Sequence, residues 1–241
     1  MMDWEPVYRV ATLGFVVGMV FGAVVYKTNF CTMGAVSDWI NIGSKDRLRA
    51  WFLAIGIAIL ASQFMQHRGM IDLGEAIYLT PNFGWLGHIV GGFLFGVGMT
   101  LGSGCGQRTL VRVGGGNLKS LVVLIFLGLT AYMTMRGLLA LVRVNLFDPA
   151  RIDLAGAGVA NQGIDTLSAA ALGIEDSATA RWVVASGLGG GLVAWAFAAG
   201  SFRRSLDNSL ARVVIGLVIR AGWYVTCVMG FDYFEPVRLE S

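Results

Sequence analysis

Charge is scarce in this chain: Asp, Glu, Lys and Arg make up 14% of its 241 residues, with a formal net charge of +3. A soluble domain carries about 25% charged residues, so this complement is too small to clothe a water-facing surface. Histidine is rarer still, with two residues, and the three cysteines contain no Cys-x-x-Cys pair. Those shortages argue against a zinc site and against a disulfide framework. The triple glycine Gly114-Gly115-Gly116 ahead of Lys119 lacks the spacing of a phosphate-binding loop. No metal, nucleotide or other cofactor is therefore expected, and no nucleic-acid partner.

What the chain has instead is apolar length. Hydrophobic residues reach 56%, mean hydropathy is +0.68, and both values belong to an integral membrane protein whose first partner is the lipid bilayer. A spanning helix needs roughly 20 mostly apolar residues. Six stretches qualify, at about 8–26, 48–65, 84–101, 118–141, 181–199 and 213–231. They are continuous runs without the alternation of barrel strands, so the expected fold is an all-α, multi-span helical bundle forming a single transmembrane domain over 1–241.

Residues 145–179 lose the apolar pattern and carry Asp148, Asp153, Asp165, Glu175 and Asp176, which suits an exterior connecting segment lying over the mouth of the bundle. Trp51, Trp85 and Trp182 open spans as aromatic-belt residues. Glycines such as Gly14, Gly18, Gly22, Gly92, Gly96, Gly187 and Gly189 to Gly191 are expected to let helices approach closely. Lys and Arg concentrate in the connections after the first, third and fifth spans, from Lys27 to Arg49, Arg108 to Lys119 and Arg203 to Arg212. By the positive-inside tendency those connections face the cytoplasm and the N-terminus faces outward. The start of the chain, with Asp3 and Glu5 ahead of a long apolar run, is unlike a cleaved signal peptide, so the first span is expected to be retained.

Within this apolar background, Gly102-Ser103-Gly104-Cys105-Gly106-Gln107-Arg108 sets a thiol in a glycine-rich break beside Arg108, Arg112 and Lys119. The arrangement recurs: Gly18, Gly22 and Cys31 return as Gly92, Gly96 and Cys105 at one offset of 74 residues, with Phe21 matching Phe95 and Lys45 matching Lys119. The two cysteines are thus expected in equivalent places. Each follows a span and precedes a short segment, consistent with short re-entrant helices of the kind transporters place at binding sites, with Thr28 or Asn29 and Ser103 suited to cap them. Helix N-termini and arginines attract an anion, while a thiol offers a polarizable surface to a soft atom such as sulfur. Equally, both cysteines could be small buried hydrophobes, the common lot of a free cysteine.

The run from Gly96 through Cys105 to Ser120, together with Asn29-Phe30-Cys31-Thr32-Met33-Gly34 and Gly222-Trp223-Tyr224-Val225-Thr226, closely resembles the YeeE/YedE family of sulfur-transport membrane proteins. The resemblance extends over essentially the whole chain. It implies a multi-pass protein of the bacterial cytoplasmic (inner) membrane that moves thiosulfate or a related sulfur-containing anion, handed along cysteines of which Cys31 and Cys105 are the first two. Ser103, Gly104, Gly106, Asn29 and Arg108 then become substrate-binding residues by position in those motifs. Family members usually continue through further spans to a third Cys-Gly element, so the expectation is of a chain lacking the family's C-terminal part. Cys227 has no glycine neighbours and does not match that element.

Two further charges fall inside apolar spans, Arg136 and Arg220, and either could face an anion pathway. Two other functions fit the same residues. Cys105 could be the nucleophile of a membrane sulfurtransferase, activated by Arg108, or the chain could be a non-transporting subunit whose basic loops hold a sulfur-carrier or sulfurtransferase protein at the cytoplasmic side.

Overall fold

The computed structural model describes residues 5–71, 79–159, 161–172, 177–200 and 206–229. Arg203, Arg204, Arg238, Glu175, Asp176 and the side chain of Cys227 lie outside the described residues. The chain is an all-helical membrane bundle in which the long helices α1 (Glu5–Thr28), α3 (Asp46–His67), α4 (Trp85–Leu101), α6 (Leu118–Arg136), α9 (Ser177–Phe197) and α10 (Leu206–Tyr224) follow the long apolar stretches. Between them lie the short helices α2 (Thr32–Ser37), α5 (Gly106–Gly114), α7 (Leu138–Val142) and α8 (Ile164–Leu172). Four helical segments, Tyr8–Ile42, Asp46–His67, Trp85–Gly114 and Leu118–Arg136, are long and apolar enough to cross a membrane; Val213–Tyr224 is a shorter apolar helix.

α3 is the central post, packed by α9 and α10, with α1 against α10. Its crossings rest on glycine. A Cβ at Gly56 would sit 2.8 Å from the Gly189 carbonyl oxygen, and one at Gly216 would sit 2.9 Å from that of Ala54. Both distances are below any real contact, so the helix backbones meet directly there, as small residues permit in lipid. The core these crossings create contains Val25, Phe30, Leu53, Ala54, Ala196 and Ile215. It gathers the end of α1, the first half of α3 and the end of α9 around the first cysteine segment.

The other glycines behave differently from expectation. A Cβ at Gly14, Gly18, Gly22, Gly92, Gly96, Gly187, Gly190 or Gly191 would meet nothing within 4 Å, so of the glycines expected to bring helices together Gly189 is the one at a close crossing. Large apolar side chains stand out on the same helices, with Phe15 on α1 68% exposed and Phe93 on α4 71% exposed. The apolar stretch 118–141 is also divided. Gly137 ends α6 with φ −104° and ψ −156°, and a Cβ there would lie 2.8 Å from the Met133 Cα. A two-residue ladder, β1 (Asn82–Phe83) with β2 (Ile152–Asp153), pairs Asn82 with Asp153 and ties the segment after α7 to the start of α4.

Candidate thiol site between two short helices

The two cysteine segments are built alike. Asn29 and Ser103 both take left-handed backbone, with φ of 51° and 56°, and each stands two residues ahead of a cysteine. Such a conformation reverses the chain sharply and is unusual for residues other than glycine, although Asn and Ser tolerate it better than branched side chains. The next residues swing out, and Cys31 (ψ 129°) and Cys105 (ψ 163°) become the extended N-cap residues of α2 and α5. Both helices then open identically, Ala35 N–H donating to the Cys31 carbonyl and Thr109 N–H to that of Cys105, each at 3.0 Å. The caps expected at Thr28 or Asn29 and at Ser103 are therefore filled by the cysteines themselves, because the reversal at Asn29 and Ser103 delays each helix by two residues.

This symmetry brings the thiols together. Cys31 Sγ and Cys105 Sγ lie 3.8 Å apart, across 74 residues of sequence, at a thiol hydrogen-bonding distance in which either can donate. Both are free, and they are 2% and 5% exposed. Two further bonds clamp the loops: Gln107 Nε2 donates to the Phe30 carbonyl at 3.2 Å, and Arg108 donates to Asn29 Oδ1 at 3.3 Å. Behind Cys31, Phe30 stacks on Trp51 of α3 with ring centres 5.4 Å apart. Behind Cys105, α5 leans on α6, where a Cβ at Gly106 would touch Leu127 at 3.4 Å. Gly104 is buried against the aliphatic stem of Arg108.

The charge around the pair is positive. Arg108 and Arg112 sit one turn apart on α5, and Arg112 donates to the Ser103 carbonyl at 2.9 Å. Their partners are neutral oxygens, and among the described residues neither guanidinium meets a carboxylate. Arg47, by contrast, is bound to Asp38 at 3.1 Å. Two guanidiniums with neutral partners thus border the loops that carry a pair of soft sulfur atoms, a combination whose donors suit oxyanion oxygens and whose thiols suit a soft atom.

The remaining sequence candidates fall elsewhere. Arg220 lies over the Phe64 ring at 6.0 Å, and Phe64 is about 20 Å along α3 from Trp51 by helical rise. Arg136 ends α6 on an exposed turn. Gln107 and Thr109 carry site geometry without having been singled out for it, while Arg112, named for its charge, proves to hold the Ser103 carbonyl. The signal for Gln107 was its place two residues after the cysteine, but nothing local tells that its amide crosses to Phe30. Thr109 Oγ1 bonds the Cys105 carbonyl at 3.2 Å in a buried position. Among the described residues no group of His, Cys, Asp and Glu could hold a metal.

Comparison with known proteins adds a family. The family model described as sulphur transport matches residues 27–237. The chain is 30% identical over 122 residues to the thiosulfate transporter TsuA of Escherichia coli K12, covering 51% of this chain and 32% of that protein. It is 25% identical over 225 residues to the thiosulfate transporter TsuA of Spirochaeta thermophila, covering 91% of this chain and 64% of that protein. It thus spans less than two thirds of the length of these curated relatives.

Proposed function

Because the chain belongs to the sulphur transport family, we propose that it carries thiosulfate or a related sulfur-containing anion across a bacterial cytoplasmic membrane, with Cys31 and Cys105 acting together as one station. The observation that carries this reading is the 3.8 Å contact between the two sulfurs, in loops that Arg108 clamps together through Asn29. A thiosulfate ion has oxyanion oxygens at one end and a soft sulfur at the other. Its oxygens match the guanidiniums of Arg108 and Arg112, and its sulfur can replace one thiol as hydrogen-bond partner of the other.

Contact at this distance supports a reading in which both thiols meet the substrate at one depth, side by side, and grip a single sulfur atom before any onward transfer. The repeat supplies a reason. Each unit, α1 to α3 and α4 to α6, holds two long helices, and two crossings return the chain to its starting side. The two units then run in the same direction. In this reading the six long helices cross the membrane, the N-terminus lies outside, and a sulfur-carrier or sulfurtransferase protein receives the cargo on the cytoplasmic side.

A sulfurtransferase role for Cys105 has less support, since its sulfur is buried against a second thiol and Arg108 is turned to Asn29. Uptake of labelled thiosulfate into cells that depend on this protein tests the proposal. Cys105→Ala and Cys31→Ala are each expected to lower uptake at least tenfold at equal membrane abundance, and the double variant to lose little more, as for groups acting as a unit. Undiminished uptake in Cys105→Ala would exclude a thiol station.

A further inference from the structure

A cavity with several polar and charged side chains in its lining lies at the other end of α4 from the thiols. α4 runs 17 residues from Trp85 to Leu101, about 25 Å at 1.5 Å per residue. Cys105 follows its last turn, and the cavity opens at its first. It has a volume of about 480 Å³, and its lining includes Thr80, Asn82, His88, Arg143, Asp148 and Arg151.

Separate parts of the chain are drawn together to form it. The pairing of Asn82 with Asp153 and the bond from Leu154 N–H to the Pro81 carbonyl, 3.0 Å, bring the segment after α7 to the start of α4. Arg143 opens the π-helical turn Arg143–Phe147, and Arg151 follows the single turn Asp148–Ala150. The His88 ring is fixed in orientation, stacked on Phe83 with centres 5.6 Å apart and with Nδ1 2.7 Å from the Gly84 carbonyl. A proton on Nδ1 satisfies that bond and leaves Nε2 on the opposite edge of the ring.

Among the described residues that line the cavity, charge does not balance. Two guanidiniums share one carboxylate: Arg151 is ion-paired with Asp148, whereas Arg143 meets no carboxylate among the described residues. The first turn of α4 adds backbone N–H groups without helical partners, at the positive end of the helix dipole. An excess of donors and positive charge in a concave site matches an oxyanion.

We infer that this cavity is a second oxyanion-binding site, holding a small divalent oxyanion or the phosphate of an anionic lipid headgroup through Arg143, Arg151 and the opening turn of α4. The inference stands apart from the transport reading, since its groups are remote from the thiols.

Equilibrium binding of labelled inorganic sulfate to the detergent-purified, delipidated protein tests it, the cavity's share being the binding that Arg143→Gln/Arg151→Gln removes. Saturable binding is expected, unchanged in Cys31→Ala/Cys105→Ala. It should be about tenfold weaker in Arg143→Gln, the scale of one charge-assisted bond, and severalfold tighter in Asp148→Asn, which frees Arg151. Reconstitution into nanodiscs with phosphatidylglycerol distinguishes the two sources. Loss of sulfate binding there identifies a lipid headgroup as occupant, and persistence identifies a free oxyanion. Absence of saturable sulfate binding in the delipidated protein overturns the inference. So does wild-type affinity in Arg143→Gln/Arg151→Gln that remains monodisperse on gel filtration.

Discussion

At the residue scale the thiol pair is the feature most open to direct test. A disulfide needs its sulfurs about 2.05 Å apart, and Cys31 and Cys105 stand at 3.8 Å, a gap that modest side-chain rotation and loop movement can close. A membrane-permeant oxidant such as diamide is therefore expected to link them within one chain. Intact-mass measurement would show loss of two hydrogens, with alkylation at both positions blocked. Failure to form that intrachain bond, with both thiols still reactive after denaturation, would contradict the juxtaposition. Both cysteines and their glycine neighbours were legible in the sequence because a polar break in an apolar run stands out. The role of Gln107 was not, because its acceptor, the Phe30 carbonyl, is set by where another loop folds.

At the scale of elements, glycine divides into two populations that composition alone makes identical. Gly216 faces the Ala54 carbonyl at a distance no Cβ can share, whereas Gly92 faces open space. Gly216→Ala is expected to destabilise the protein by about 1–3 kcal/mol, the usual cost of overpacking a close contact. Gly92→Ala should be neutral or slightly stabilising, since alanine is the better helix former. Thermal unfolding of the two variants in the same detergent checks the contrast, and equal losses would remove α3 as the central post. The helices themselves were readable from uninterrupted apolar length. The division of 118–141 was not, since Gly137 looks like any other glycine until its backbone geometry is known.

At the scale of the molecule, α4 separates the thiol pair after its last turn from the cavity at its first. In the proposed topology Lys119, which follows the second thiol helix, faces the cytoplasm, and Arg151, which lines the cavity, faces outward. Single cysteines placed at these positions in a Cys31→Ala/Cys105→Ala/Cys227→Ala background are expected to react with a membrane-impermeant maleimide from opposite sides of sealed vesicles. Labelling of both from one side would refute the two-crossing repeat. The exposed apolar faces of α4 and α6 fit a protein surrounded by lipid, where an outward Phe or Leu carries no penalty.

The sequence by itself determined the class of this protein, the location of its long helices, and the equivalence of Cys31 with Cys105. Those properties follow from local composition and spacing, which lipid and backbone hydrogen bonding translate directly into helices. The tertiary structure decided which glycines meet a neighbour, that the two sulfurs touch, and that Arg108 and Gln107 reach across to the first loop. Lipid solvates every apolar helix face about equally well, so hydrophobic pattern cannot choose helix partners in a membrane. Shape and a few polar contacts choose them instead, and those exist once the chain has folded.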